Sequence, residues 1–182
     1  MNRNQRKKYI ERMAVSAMLI GISVCVGYLC RIYLTFGMFV RITFENLPII
    51  LVGILFGPVY GLVAGVSSDL ISSVASAQTI NPIITVGAGA VGLMAGITAQ
   101  IGNKFKINKT VKKTLSCISA HFLGCIIIKT LGLYKYYFSN MSFWYLFGVR
   151  SGVYVGICIA EIIMIILLTK NKNIKALSDY EL

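Results

Sequence analysis

A chain of 182 residues that is 57% hydrophobic and 13% charged, with a mean hydropathy of +0.76, carries far more apolar surface than a water-soluble domain of its size needs for a core. At about 1.5 Å per helical residue, a hydrocarbon layer of roughly 30 Å takes about 20 residues, so the length admits five or six short spans and excludes a soluble catalytic domain beside them. The net charge of +12 does not point to nucleic acid, because the basic residues gather in blocks outside the apolar stretches and read there as topology signals.

The start, MNRNQRKKYIER, has the charge of a signal peptide, but the apolar run behind it lacks a convincing small-residue cleavage site and further spans follow. It reads as a retained first helix over about 10–30. The less regular stretch RIYLTFGMFV leads to a second helix over 46–56, closed by a turn at Gly57-Pro58. A third helix covers 59–74 and the polar loop SAQTIN follows. Pro82, at a position where a first helical turn tolerates it, opens a Gly/Ala-rich fourth helix over 82–102. The basic linker NKFKINKTVKK precedes a fifth helix over 114–133, and the aromatic stretch YKYYFSNMSFWY precedes a sixth over 147–168. The expectation is one all-α membrane domain of six transmembrane helices.

Charge orients it. Arg3, Arg6, Lys7, Lys8 and Arg12 precede helix one, Lys104, Lys106, Lys109, Lys112 and Lys113 lie between helices four and five, and Lys170, Lys172 and Lys175 follow helix six. An even helix count puts these thirteen on one side, which the excess of Lys and Arg in short loops marks as cytoplasmic, with both termini. Tyr134 to Tyr145 then form an interfacial aromatic belt on the outer side. The five remaining basic residues, Arg31, Arg41, Lys129, Lys135 and Arg150, map to the outer half, where a charge is costly and faces a cavity, a partner or a ligand. Arg31 and Lys135 can snorkel to the interface; Arg41 and Arg150, embedded in apolar sequence near helix starts, are binding candidates.

Small residues recur every four positions, at Gly57, Gly61 and Gly65 and again at Ala88, Gly92 and Gly96, which suits close helix packing. Ala14, Ala17 and Gly21 offer helix one a small face for a separate protein. Asp69 continues the first stripe and is expected to face protein or cavity. On helix six Arg150, Tyr154 and Glu161 fall near one face. Arg150 and Asp69 suit either an ion pair with each other or a pocket for a polar ligand. Cys117, His121 and Cys125 suggest a metal, but eight helical residues separate the two thiols by about 12 Å, too far for one ion. His121 and the five cysteines, which show no paired spacing, read as core residues. No nucleotide-binding G-x-x-x-x-G-K-[ST], HExxH or GxSxG sequence occurs. No enzyme activity, metal or cofactor is expected.

The segments RITFENLPIILVGILFGPVYGLVAGVSSDLIS (Arg41 to Ser72) and NPIITVGAGAVGLMAGI (Asn81 to Ile97) resemble the substrate-binding S components of energy-coupling factor (ECF) vitamin transporters, of the folate type. The resemblance rests on the Arg-Ile-Thr-Phe segment, the Leu-Pro of helix two, the Phe-Gly-Pro turn, the helix-three Asp and the Arg150 to Glu161 stretch. The chain departs from the pattern in having Arg150-Ser151-Gly152 at the head of helix six and Glu45-Asn46 after Phe44. The resemblance implies a prokaryotic plasma-membrane protein that captures a vitamin beneath the loop between helices one and two. It further implies delivery to a transmembrane coupling subunit with two ATPases, contacted through Ala14, Ala17 and Gly21. Folate has carboxylates and an aromatic pterin, for which Arg41 and Arg150 offer charge, Phe44 and Tyr154 stacking, and Asp69, Gln78 and Asn81 hydrogen bonds. Riboflavin, thiamin, pantothenate and queuosine precursors are the alternative ligands. A small membrane enzyme using Asp69, His121 or Glu161, and a helix-binding scaffold, are the alternative functions.

Overall fold

The computed structural model describes residues 3–36 and 40–170, without the side chains of residues 4, 35, 36, 40, 41 and 170. Lys172 and Lys175 therefore lie outside the described residues. Six helices follow one another: α1 (Arg3–Tyr33), α2 (Asn46–Phe56), α3 (Pro58–Ala75), α4 (Pro82–Lys104), α5 (Lys109–Tyr137) and α6 (Phe143–Lys170). Five are long and apolar enough to cross a membrane, and α2 is a shorter apolar helix.

Several bounds differ from the expected ones. Helix α1 begins at Arg3, so the basic N-terminal residues ride on exposed helix instead of preceding it. Its 31 residues span about 46 Å, enough to carry those charged turns beyond a roughly 30 Å apolar layer. Helix α5 takes in Lys109 to Lys113 from the expected linker and Tyr134 to Tyr137 from the expected belt. Lys112 is buried and donates to Asn103 Oδ1 at 2.8 Å, tying the start of α5 to the end of α4. The α1–α2 connection is not irregular: β1 (Thr35–Phe36) pairs antiparallel with β2 (Val40–Arg41), and Ile42 N extends the pairing to Leu34 O. This short hairpin is an exception to the all-helical expectation.

The bundle is built around α2. Ten of its eleven residues are buried, as befits a helix that is apolar all round. Ile49, Ile50 and Ile54 meet Val91 and Ala95 of α4, Cys117 and Cys125 of α5 and Ile157 of α6 in the main core. On the other side Val52, Leu55 and Phe56 pack with Ala64, Val15 and Leu19. The outward faces are apolar too: Trp144 is 77% exposed, Tyr33 75% and Met18 69%, the inversion that a lipid solvent permits.

The glycine stripes form the α3–α4 seam. A Cβ at Gly61 would fall on the Gly92 carbonyl, one at Gly92 on the Gly61 carbonyl, and one at Gly65 on the Ala88 carbonyl, so the two backbones touch along three turns. Gly57 has φ 97°, which reverses the chain between α2 and α3 without a Cβ penalty. Gly96 meets Pro58 at this turn, eight residues before the end of α4, so the turn sits about 12 Å short of that end. Gly21, Gly148, Gly152 and Gly156, by contrast, face open space.

Candidate functional site

Polar side chains converge inside the bundle at the end that carries the hairpin. Asn46, fully buried in the first turn of α2, accepts from Lys129 Nζ at 3.2 Å through Oδ1, and its Nδ2 points to Cys125 Sγ at 3.5 Å. Lys129 is itself buried and stands 3.6 Å from Glu45 Oε1. The Glu45 carbonyl accepts from Ser23 Oγ at 2.6 Å, and Ser23 shares a 2.8 Å hydrogen bond with Ser68. A chain of polar contacts thus links α1, α2, α3 and α5.

Helix α5 presents these groups through a change of winding. His121–Lys129 is π-helical, bonded i→i+5. Four-residue steps, which drift about 40° each around an α-helix, stay nearly in line on this wider turn. His121, Cys125 and Lys129 are therefore all buried. Thr130, next in line, bonds the Cys125 carbonyl at 3.3 Å and receives Arg150 Nε at 3.0 Å. Arg150 Nη2 donates to Tyr154 Oη at 3.2 Å, and the guanidinium lies 5.1 Å from the centre of that ring, within cation–π range. Deeper, His121 Nε2 and Glu161 Oε2 are 2.7 Å apart and both residues are buried.

The residues singled out in the sequence divide into groups. Arg150 and Tyr154 join this cluster. Asp69 and Arg150 do not pair: Asp69 Oδ2 accepts from Thr85 Oγ1 at 2.7 Å, and Arg150 is bound by the neutral oxygens just named. Among the described residues no carboxylate forms an ion pair with Arg150. Phe44 packs, partly buried, against the main core. Asn81 is engaged within the chain. Its Oδ1 caps α4 by accepting from Ile83 N and Ile84 N at 3.0 and 3.4 Å, and its Nδ2 donates to Gly132 O at 3.3 Å. Gln78 is exposed in the α3–α4 loop. The side chain of Arg41 lies outside the described part, while its backbone pairs with Thr35 in the hairpin, whose β2 strand neighbours α6. Ala14, Ala17 and Gly21 are all exposed on α1.

Sequence reasoning placed Lys129 in the outer half without a role and read Glu45-Asn46 as a departure from a pattern. The structure makes them partners. The signal for Lys129 was its place in the series Cys117, His121, Cys125, Lys129, each four residues on; no local signal linked it to residues more than eighty positions away.

A family model described as ECF transporter, substrate-specific component, matches residues 11–176. A solved S-component for biotin from an ECF-type ABC transporter superposes with a TM-score of 0.70 at 17% identity, covering 93% of each chain. At that identity the likeness concerns the fold. No curated protein sequence gives a significant match. With the family match running over most of its length and six apolar helices in the matching fold, this chain is a multi-pass membrane protein that belongs to the family of ECF transporter substrate-specific components.

Proposed function

We propose that the chain captures an anionic vitamin of the folate type at the hairpin end of the bundle and hands it to a coupling subunit driven by two ATPases. The observation that carries this reading is Arg150. A half-buried guanidinium, aimed by Thr130 and Tyr154 and not ion-paired with a carboxylate of the described chain, is suited to a carboxylate that arrives with the ligand. Tyr154 and Phe44 offer aromatic surface for a pterin. Asp69, anchored through Oδ2 by Thr85, keeps a second oxygen for the amino and ring N–H donors of the pterin. Arg41, whose backbone lies in the hairpin, is the second candidate cation. Calorimetry on the purified protein is expected to give saturable folate binding. Arg150→Ala is expected to weaken it by about 10- to 100-fold, the value of a charged hydrogen bond of roughly 1.5–3 kcal/mol. Biotin, which has one carboxylate and no aromatic ring, discriminates: binding of biotin in place of folate overturns the folate reading and leaves the family assignment untouched.

The hairpin end then faces outward and both termini face the cytoplasm, as the basic residues of the termini and the α4–α5 connection favour. Coupling uses the small face of α1. Ala14, Ala17 and Gly21 are exposed, and a Cβ at Gly21 meets nothing within 4 Å, so this face admits another helix closely without disturbing the fold. Gly21→Leu is expected to leave folate binding and thermal stability unchanged while abolishing co-purification with the coupling subunit. Loss of binding in this variant would contradict an external role for the face.

A further inference from the structure

Two thiols, an imidazole and a carboxylate meet in the interior between α5 and α6, and the vitamin site uses none of the thiols. Cys117 Sγ and Cys158 Sγ are 3.9 Å apart. With a ring nitrogen of His121 they form a set whose ligand atoms all lie within 4.8 Å of one another, and all three residues are buried. Within α5 alone the spacing of Cys117 and Cys125 argues against a shared ion; the second thiol comes instead from α6, by way of the packing of the two helices.

We infer that Cys117, His121 and Cys158 form a binding site for one thiophilic metal ion, Zn2+ or Cu+, that clamps α5 to α6. Three observations agree. First, two thiolates on one tetrahedral zinc, each at about 2.3 Å, stand roughly 3.8 Å apart, close to the separation of the two sulfurs. Second, Glu161 Oε2 lies 2.7 Å from His121 Nε2, the carboxylate-to-histidine arrangement that orients a metal-bound imidazole. Third, His121 Nδ1 is buried with only the neighbouring Cys125 thiol beside it, and Glu161 Oε1 has no hydrogen-bond partner among the described residues. Orphaned polar atoms at this depth are costly unless something else satisfies them. The widest separation in the set exceeds that of a closed coordination sphere and is taken up by side-chain rotation on binding. Each thiol releases its proton as it binds, so two thiolates balance a divalent ion and no oxidant or reductant is needed. Sulfur and imidazole without exposed carboxylates select soft and borderline cations over Mg2+ or Ca2+.

The test uses the full chain in detergent, reduced and stripped with a chelator, then titrated with Co2+ as a spectroscopic stand-in for Zn2+, and separately with Cu+ against a competing chelator. The expected result is one equivalent bound. With Co2+ a thiolate-to-metal charge-transfer band appears that Zn2+ abolishes; binding of Cu+ alone identifies copper as the ion. Cys117→Ser and Cys158→Ser, checked for helix content by circular dichroism, are each expected to lose the band, and Glu161→Gln to weaken binding by about 10- to 100-fold. Failure of the wild-type protein to bind either ion overturns the inference, as does a Cys117–Cys158 disulfide found in its place or binding undiminished in the double serine variant. None of these outcomes depends on which vitamin is bound.

Discussion

Lys129→Met is expected to destabilise the protein more than loss of any surface lysine, lowering its thermal midpoint in detergent by roughly 10 °C. The ammonium is buried, takes Asn46 Oδ1 at 3.2 Å and faces Glu45 Oε1 at 3.6 Å. Removing it takes the ammonium from beside Glu45 and leaves the buried Asn46 Oδ1 without its lysine donor, and breaking a buried pair from one side costs about 3–5 kcal/mol. Methionine matches the volume and is apolar, so the loss is electrostatic. The double variant Lys129→Met/Glu45→Gln removes both charges and is expected to regain most of the stability, because a matched neutral pair escapes the desolvation penalty. Thermal melts of the wild type, the two single variants and the double variant measure the coupling. Strict additivity would mean that the pair is not one unit.

Gly92→Val is expected to yield no folded protein, whereas Gly152→Val is tolerated. Both glycines lie within long apolar helices. A Cβ at Gly92 would fall on the backbone of Gly61, and α3 cannot yield there because Gly65 and Ala88 touch one turn further along the seam. Overpacking into side chains costs typically 1–3 kcal/mol; here the obstacle is backbone, and the whole α3–α4 seam must open. At Gly152 a Cβ meets nothing within 4 Å. Size-exclusion profiles of fluorescently tagged variants make the comparison: monodisperse Gly152→Val beside aggregated or absent Gly92→Val is the expected pattern. Equal behaviour of the two would contradict the seam.

The architecture was legible because a membrane imposes simple patterns. Apolar runs of span length, the Gly57-Pro58 turn and four-residue glycine spacing each have a local cause, and they led to the helices and to close packing of the third and fourth, though not to their packing on each other. The site was less legible because its contacts are not local. Asn81 reads as a free amide until its place directly before Pro82 is recognised as the cap of α4. Asp69 and Arg150 carry opposite charges, yet nearer neutral partners hold each of them apart. Lys129 reaches Glu45 and Asn46 only because α2 threads the centre of the bundle and α5 turns π-helical beside it. The π winding, which aligns His121, Cys125 and Lys129, has no composition signal of its own. Cys158 gave no hint of its pairing with Cys117 for the same reason: the partner is forty-one residues away on another helix.

The polar interior around Arg150 is proposed to receive an anionic, pterin-bearing vitamin. Mass spectrometry of the small molecules that co-purify with the protein in mild detergent tests it most directly. Folate or a reduced folate is expected in the wild-type sample and is expected to be lost from Arg150→Ala. A neutral or cationic vitamin carried equally by both proteins would contradict it.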